Sequence, residues 1–278
     1  MLDITQEGTE KKVTISRGDV YYQEVGEGHP VVFLHGSGPG ATGWSNFASN
    51  MAELGEKIRC IAIDLPGWGK SFPVKYNERD HHTAVREVLD ALGIDKAAVV
   101  GNSMGGAVAI KFAATYPDRI THLITMGAGS PQVKLFGAAD GPTEGLKVLQ
   151  QGYRDPSVDQ MKKLTEIMTF DSGNATDALA KQRSDNAKAN QEHLDNFIEG
   201  LTKPRSGMAT EAELRSISCP TLLIHGRDDR VVHYENSLYL CATIPDSRIL
   251  LINRCGHWAQ VEHPKEFNRE VASFVLGA

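Results

Sequence analysis

Val99-Val100-Gly101-Asn102-Ser103-Met104-Gly105-Gly106-Ala107 is the stretch on which the fold turns. It begins at the end of an apolar run, Ala97-Ala98-Val99-Val100, and closes on the start of a helical pattern. Between the two lies G-x-S-x-G. A serine at that point sits on a tight strand-to-helix turn with strained dihedrals. Glycines two residues before and two after leave room for neighbouring backbone. The hydroxyl then projects above the carboxyl edge of a sheet. The N-terminus of the following helix adds positive potential where negative charge develops. The short pattern alone arises by chance; its place between strand and helix makes Ser103 a candidate nucleophile.

On either side of this turn, short apolar runs alternate with helical segments. Val31-Val32-Phe33-Leu34, Ile61-Ala62-Ile63 and Leu123-Ile124-Thr125-Met126 are such runs. They suit strands covered on both faces by helices, as in a parallel sheet. Asn77 to Leu92 reads as a helix between two of them, with Gly93 placed to end it. Before them, Lys11–Ser16 and Val20–Val25 alternate and read as a hairpin with Arg17-Gly18-Asp19 as its turn. From about Ser130 to Arg215 the strand signal vanishes. Helical patterns replace it, interrupted by Gly141-Pro142, Pro156, Gly173 and Pro204. Strands resume at Thr221-Leu222-Leu223-Ile224 and Arg248-Ile249-Leu250-Leu251-Ile252. A last helix follows Pro264, with Phe267, Val271 and Phe274 on one face. The expected plan is an α/β core, residues 1–130 and 216–278, split in sequence by an all-helical cap, 131–215.

Composition narrows the class. The 278 residues are 41% hydrophobic and 23% charged, ordinary for a globular protein, with a formal net charge of −6. No basic run offers a nucleic-acid surface. The cysteines, Cys60, Cys219, Cys241 and Cys255, form no C-x-x-C pair, which argues against a zinc site. Cys60 and Cys241 lie in apolar surroundings and read as buried thiols. That fits a reducing cytoplasm better than a disulfide scaffold. Met1 to Gly18 is polar and lacks the apolar stretch of a signal peptide. No apolar run is long enough to span a membrane.

A serine hydroxyl is a poor nucleophile without a base. In sheets that carry the nucleophile on such a turn, the chain order is serine, acid, histidine. Two histidines stand near the C-terminus. His257, in Arg254-Cys255-Gly256-His257-Trp258, follows the last strand, at the sheet edge where catalytic groups gather. His263 precedes Pro264 and reads as a surface or capping residue, so His257 is the base. The acid is expected after the preceding strand, in Gly226-Arg227-Asp228-Asp229-Arg230, where Asp228 and Asp229 compete on equal terms.

An oxyanion needs a backbone N–H besides that of Met104. Phe33-Leu34-His35-Gly36-Ser37-Gly38-Pro39-Gly40 supplies a Gly-rich loop after a strand; His35 reads as its brace. The loop is not G-x-G-x-x-G and no acidic ribose ligand follows it. Gly69-Lys70-Ser71 looks like the end of a phosphate-binding loop. The glycine required five residues earlier is Asp64, so that reading fails. His81 and His82 are adjacent on a helix and face different directions, which does not suit a metal. No metal and no organic cofactor is expected.

Five segments together resemble the meta-cleavage-product hydrolases, carbon–carbon bond hydrolases of the α/β-hydrolase superfamily. They are His35-Gly36-Ser37-Gly38-Pro39-Gly40-Ala41 with Gly43-Trp44-Ser45-Asn46; Gly101-Asn102-Ser103-Met104-Gly105-Gly106; the region of Arg183 and Gln191-Glu192-His193-Leu194; Gly226-Arg227-Asp228-Asp229-Arg230; and Cys255-Gly256-His257-Trp258-Ala259-Gln260. The resemblance covers nearly the whole chain. It implies the α/β-hydrolase fold: a mostly parallel eight-stranded sheet flanked by helices, with an inserted helical cap. It implies hydrolysis of 2-hydroxy-6-oxo-hexa-2,4-dienoates to 2-hydroxypenta-2,4-dienoate and a carboxylic acid. By motif match it makes Ser103, Asp229 and His257 the triad and selects Asp229 over Asp228. It places the oxyanion on the amides of Ser37 or Gly38 and Met104. It gives Asn46, Asn102, Arg183 and Trp258 the dienoate end of the substrate. A homo-oligomer, dimer or higher, is also implied.

These residue types suit that substrate. One buried arginine can pair bidentately with the enol acid's carboxylate. Two asparagines can hydrogen-bond its oxygens, and a tryptophan can pack on the planar diene. Taken singly, the same residues read otherwise: Arg183 as a solvated arginine, Trp258 as a packing aromatic, Asn46 as a helix cap. Met161, Leu164, Ile167, Met168 and Phe170 are expected to line the C6 side and imply an apolar substituent there. The rival function is a carboxylesterase or lactonase on the same fold, which would need no Arg183. A haloalkane dehalogenase would carry aspartate where Ser103 stands. A non-catalytic receptor would not need the full set of serine, acid and histidine.

Overall fold

The computed structural model describes residues 1–131, 141–201, 203 and 207–277. Pro204 lies outside them. Eight strands form one sheet: β1 (Glu10–Ile15), β2 (Gly18–Val25), β3 (Pro30–Leu34), β4 (Arg59–Ile63), β5 (Ala97–Asn102), β6 (Ile120–Met126), β7 (Thr221–Gly226) and β8 (Ser247–Ile252). Their order across the sheet is β1-β2-β4-β3-β5-β6-β7-β8. β2 runs antiparallel to both β1 and β4; every other neighbouring pair is parallel. The mostly parallel sheet expected from the apolar runs is therefore present.

The runs read as they do because both faces of the central strands are covered. Val32 and Leu34 of β3 and Val99 of β5 enter one apolar cluster. Val31, Phe33, Ala98 and Val100 enter the other. A strand whose alternate residues enter different cores has no polar face to display, hence no alternation. All six residues of β5 are buried.

Three local expectations need correction. β1 and β2 pair with Ile15 opposite Gly18, so the hairpin turns on Ser16-Arg17 rather than Arg17-Gly18-Asp19. The helix expected from Asn77 begins at His81; a short 3-10 turn, Tyr76–Glu78, precedes it. Asp80, with non-helical dihedrals, stands between them, and Gly93 follows the helix with φ of 65°. Cys241 is only half-buried, whereas Cys60 is fully buried.

Between β6 and β7 the described residues form helices and no strand: Glu144–Arg154, Val158–Met168, Asp177–Lys188, Gln191–Gly200 and Glu211–Ser216. The first four build their own apolar cluster from Leu149, Tyr153, Met161, Leu164, Met168 and Leu194. Val231 and Trp258, from the loops after β7 and β8, join it. Ala209, Leu214 and Ile217 belong instead to the main core. The chain has thus returned to the core by Ala209.

Candidate active site

The turn after β5 has the conformation that its sequence requires. Ser103 has φ of 54° and ψ of −114°, one of only two positive φ values among the described non-glycine residues. Its N–H donates to the Met126 carbonyl at 2.7 Å, tying the strained residue to β6. The two glycines of the motif are required by space. A Cβ on Gly101 would lie 2.2 Å from the Gly105 carbonyl oxygen, and one on Gly105 would lie 2.2 Å from that of Leu34. Met104 opens the helix Met104–Thr115, so its N–H has no acceptor within the helix.

His257 and Asp229 meet from the loops after β8 and β7. His257 Nδ1 lies 2.7 Å from Asp229 Oδ2, and both side chains are buried. The other oxygen, Oδ1, accepts the N–H groups of Val231 at 2.7 Å and Val232 at 2.9 Å. Burial alone would raise the Asp229 carboxyl; the adjacent His257 and His225 reverse this and hold it well below the usual carboxylate range. A carboxylate acceptor at this position fixes the proton on Nδ1 of His257 and leaves Nε2 as the basic nitrogen. Gly127 makes the approach possible. Its φ is 55°, and a Cβ there would stand 2.8 Å from His257 Nδ1. Asp228 is directed elsewhere: it accepts the Arg254 N–H at 2.9 Å and lies 3.5 Å from Arg227.

The loop after β3 is held at two carbonyls. The Leu65 N–H donates to His35 Nε2 at 3.0 Å, so the proton sits on Nδ1, which donates to the Gly36 carbonyl at 2.8 Å. The Tyr153 hydroxyl donates to the Ser37 carbonyl at 2.6 Å and accepts from Trp68 Nε1 at 3.1 Å. No peptide is cis among the described residues. Each held carbonyl therefore fixes the opposite direction of the following N–H, those of Ser37 and Gly38. Both amides are set in place before any substrate arrives, as oxyanion donors must be. The sequence marked His35 as a brace. Tyr153 had no signal, since it sits in an ordinary helical pattern.

Arg183 comes from the helix Asp177–Lys188 and is 2% exposed, not solvated. Its Nη1 lies 3.5 Å from the Pro39 carbonyl, its Nε has no partner, and its guanidinium carbon stands over the Trp258 ring. No carboxylate among the described residues forms an ion pair with it. Burial lowers its pKa to about 10. Asn102 is fully buried; its amide nitrogen lies 3.2 Å from the His257 carbonyl and 3.3 Å from that of Met126, and its Oδ1 has no partner. Asn46 is buried one turn into the helix Gly43–Leu54. Thr42 caps that helix, and the Asn46 amide bonds back to the Thr42 carbonyl at 2.8 Å.

A cavity of about 290 Å³ opens beside Ser103, Ser37 and Met104. It runs along one face of the nucleophile helix, past Ala107 and Val108, to Lys111. Its far wall includes Leu146, Leu149, Phe197, Leu201, Met208 and Val232. None of the residues expected on the C6 side is among its lining. Met161, Leu164, Ile167 and Met168 are consumed by the helices' own apolar cluster, and Phe170 is 45% exposed. Among the described residues, Arg79, Lys111 and Lys203 bring positive charge to the lining and no acidic residue belongs to it. No group of three or more histidine, cysteine, aspartate or glutamate side chains suited to a metal ion occurs among the described residues. No helix among them is long and apolar enough to cross a membrane.

Comparison with known proteins identifies the family. Residues 29–264 match the family model described as alpha/beta hydrolase fold. A 2-hydroxy-6-oxononadienedioate/2-hydroxy-6-oxononatrienedioate hydrolase of Cupriavidus pinatubonensis is 42% identical, over 98% of this chain and 97% of its own. The meta-cleavage product hydrolase from Pseudomonas fluorescens IP01 (CumD), a serine-to-alanine mutant complexed with acetates, is 30% identical with a TM-score of 0.85, over 97% of this chain and 98% of its own. The 2-hydroxy-6-oxo-6-phenylhexa-2,4-dienoate hydrolase (BphD) from Rhodococcus sp. strain RHA1 is 26% identical with a TM-score of 0.86, over all of both chains. The strained serine turn, the match to the family model and full-length similarity to these enzymes lead to one assignment: this chain belongs to the α/β-hydrolase family and, within it, to the meta-cleavage-product hydrolases.

Proposed function

We propose that the protein hydrolyses the C5–C6 bond of 2-hydroxy-6-oxo-hexa-2,4-dienoates, with Ser103, His257 and Asp229 as its triad. The observation that carries this reading is Arg183, a buried guanidinium without a carboxylate partner, beside the oxyanion loop and over Trp258. A cation held out of water is costly unless an anion joins it. The C1 carboxylate of the dienoate supplies that anion; a simple neutral ester does not. Asn102 Oδ1, Asn46 and the Trp258 face complete the dienoate end.

The reaction then follows from positions. The dienol becomes a ketone as a proton is delivered to C5, with His257 as the exchanging group. Ser103 Oγ attacks the C6 carbonyl while His257 takes its proton. The oxyanion rests on the amides of Met104 and of Ser37 or Gly38. The C5–C6 bond breaks, its electron pair moves through the diene to the C2 oxygen, and that oxygen takes the proton from His257 to leave as 2-hydroxypentadienoate, restoring the neutral base. Water, deprotonated by His257, releases the C6 acyl group as a carboxylic acid. No step calls for a metal or organic cofactor.

The C6 substituent faces the cavity along the nucleophile helix. Arg79, Lys111 and Lys203 in its lining favour a substituent that ends in a carboxylate, the type in the name of the Cupriavidus relative. The corresponding partners of Lys111 and Lys203, Glu213 and Glu199, stand outside the lining. The helices between Glu144 and Gly200, within the expected cap segment 131–215, act as the cap over this cavity, while Ala209, Leu214 and Ile217 already pack with the core. Homo-oligomer formation, by family resemblance, and a cytoplasmic location, from the cysteine usage, belong to the same proposal.

The test is a comparison of 2-hydroxy-6-oxonona-2,4-dienedioate, its 6-phenyl counterpart and an aryl acetate, following loss of the dienoate's visible absorbance. The dienedioate is expected to have the highest kcat/KM. Turnover of the ester without either dienoate would replace this reading with an esterase.

A further inference from the structure

The triad acid is shared by a second histidine that the proposed chemistry does not use. His225, the fifth residue of β7, is fully buried. Its Nε2 lies 2.8 Å from the Val232 carbonyl and 3.2 Å from Asp229 Oδ2. Both neighbours are acceptors, so Nε2 carries a proton: it donates to the Val232 carbonyl and stands against Asp229 Oδ2 as a longer electrostatic contact. Nδ1 lies 2.7 Å from the Ser237 hydroxyl, which is also fully buried on the helix Glu235–Thr243. In the neutral ring that hydroxyl donates to Nδ1 and thereby fixes the tautomer.

Asp229 thus takes three hydrogen bonds, two amides on Oδ1 and His257 on Oδ2, and the His225 N–H stands 3.2 Å from Oδ2 as a fourth contact. Rotating the carboxylate plane away from His257 would break contacts on both oxygens. His225 also holds the carbonyl of Val232, whose own N–H is one of the donors to Asp229, so the loop carrying Asp229 closes on this ring.

We propose that His225 is a positioning residue for the catalytic acid: it holds Asp229 Oδ2 towards His257, and Ser237 fixes it in the donating tautomer. This rests on the proposed triad. It predicts an effect on the Asp229–His257 hydrogen bond itself, beyond an effect on folding. Gln places an amide nitrogen close to where His Nε2 stands, so His225→Gln keeps the donor and His225→Leu removes it.

The experiment measures kcat and KM on the dienedioate, and the downfield proton NMR signal of His257 Nδ1–H in ¹⁵N-labelled enzyme. In His225→Leu, kcat should fall roughly tenfold to a hundredfold, the range for a lost hydrogen bond to a charged group, with KM within about threefold. The downfield signal should move or broaden. His225→Gln should recover most of both. Ser237→Ala, a milder change that preserves the ring, should shift the signal and lower kcat severalfold. If His225→Leu does not fold, Gln and Ser237→Ala decide the matter. An unchanged signal and kcat in Leu or in Ser237→Ala overturns the proposal, as does Gln behaving no better than Leu. Absence of wild-type dienoate turnover would refute the proposed substrate instead, and the NMR signal would still judge His225.

Discussion

The guanidinium carbon of Arg183 lies 4.6 Å from the centroid of the Trp258 ring. The cation on a helix between β6 and β7 thus meets the residue that follows the proposed base. A π face compensates a buried cation only in part, by about 2 kcal/mol when desolvated. Trp258 is itself packed among the apolar residues of those helices. The proposed partner of the substrate's charge, the helix packing and the His257 loop are therefore joined at one contact.

Removing the Arg183 charge should separate activity from stability. Arg183→Met should lower kcat/KM for a dienoate by about 30-fold or more, since a buried charged contact is worth roughly 2–5 kcal/mol. It should change turnover of an aryl acetate little. The same variant should be more stable than wild type, on the order of 1–3 kcal/mol in urea unfolding, because an unpaired buried cation is gone. Equal losses on both substrates, or lower stability, would make Arg183 a packing residue.

Ser103 offers a second separation. Ser103→Ala and Ser103→Gly should both reduce turnover by several orders of magnitude, as loss of a triad member does. Alanine keeps the strain at φ 54°; glycine relieves it. The glycine variant should therefore be the more stable, by roughly 1 kcal/mol. His257→Ala should match Ser103→Ala in activity. Near-normal turnover by a folded Ser103→Ala protein would remove Ser103 from the mechanism.

The two adjacent aspartates should differ sharply. Asp229→Asn removes the carboxylate that fixes His257, so kcat should fall by about 10⁴ with folding retained. Asp228→Asn disturbs only the Arg254 amide and a half-exposed contact with Arg227, and its effect on kcat should stay within a few-fold. The opposite order in steady-state kinetics would transfer the role to Asp228.

Much of this site could be read in the sequence because its parts are local. A strand, G-x-S-x-G and a helix fall within one short stretch, and Gly101 and Gly105 are there because no other side chain fits. His257 follows a strand end, which is also a local feature. The choice between Asp228 and Asp229 is not local: it depends on a turn that directs one carboxylate to Val231 and Val232 and the other to Arg254. The cavity wall was missed for a similar reason. Met161, Leu164 and Met168 form an apolar helical face, but such a face does not reveal which partner it meets. Here it meets other helices, while residues from many separated segments line the cavity. Tyr153 acts through hydrogen bonds to distant chain and His225 through contacts four to twelve residues on, and neither set leaves a periodic trace.

His35 gives a stability prediction with a defined pH window. Burial lowers its pKa from 6.5 to about 4, and the charge of Arg183 adds to the effect against the Gly36 carbonyl. At pH above 6.5 the ring is neutral in both folded and unfolded chains and there is no proton linkage. Below 6.5 the unfolded chain takes up a proton that the folded ring refuses until about pH 4. Stability attributable to His35 is therefore fully present above 6.5 and is lost as pH falls to about 4, on the order of 3 kcal/mol in all. Asp64 acts in the opposite direction. Burial pushes its carboxyl up to about 7, so it costs stability as pH rises from 3.8 towards 7. The wild-type profile contains both contributions, which makes a difference measurement necessary. His35→Gln retains hydrogen-bonding capacity towards Leu65 and Gly36 but cannot take up the proton. Urea unfolding at pH 7.5, 6, 5 and 4.5 should show the variant less stable at pH 7.5 and the gap to wild type narrowing as pH falls. A constant gap over that range would mean that His35 titrates alike in the folded and unfolded chains, and that its burial does not govern the acid sensitivity of the oxyanion loop.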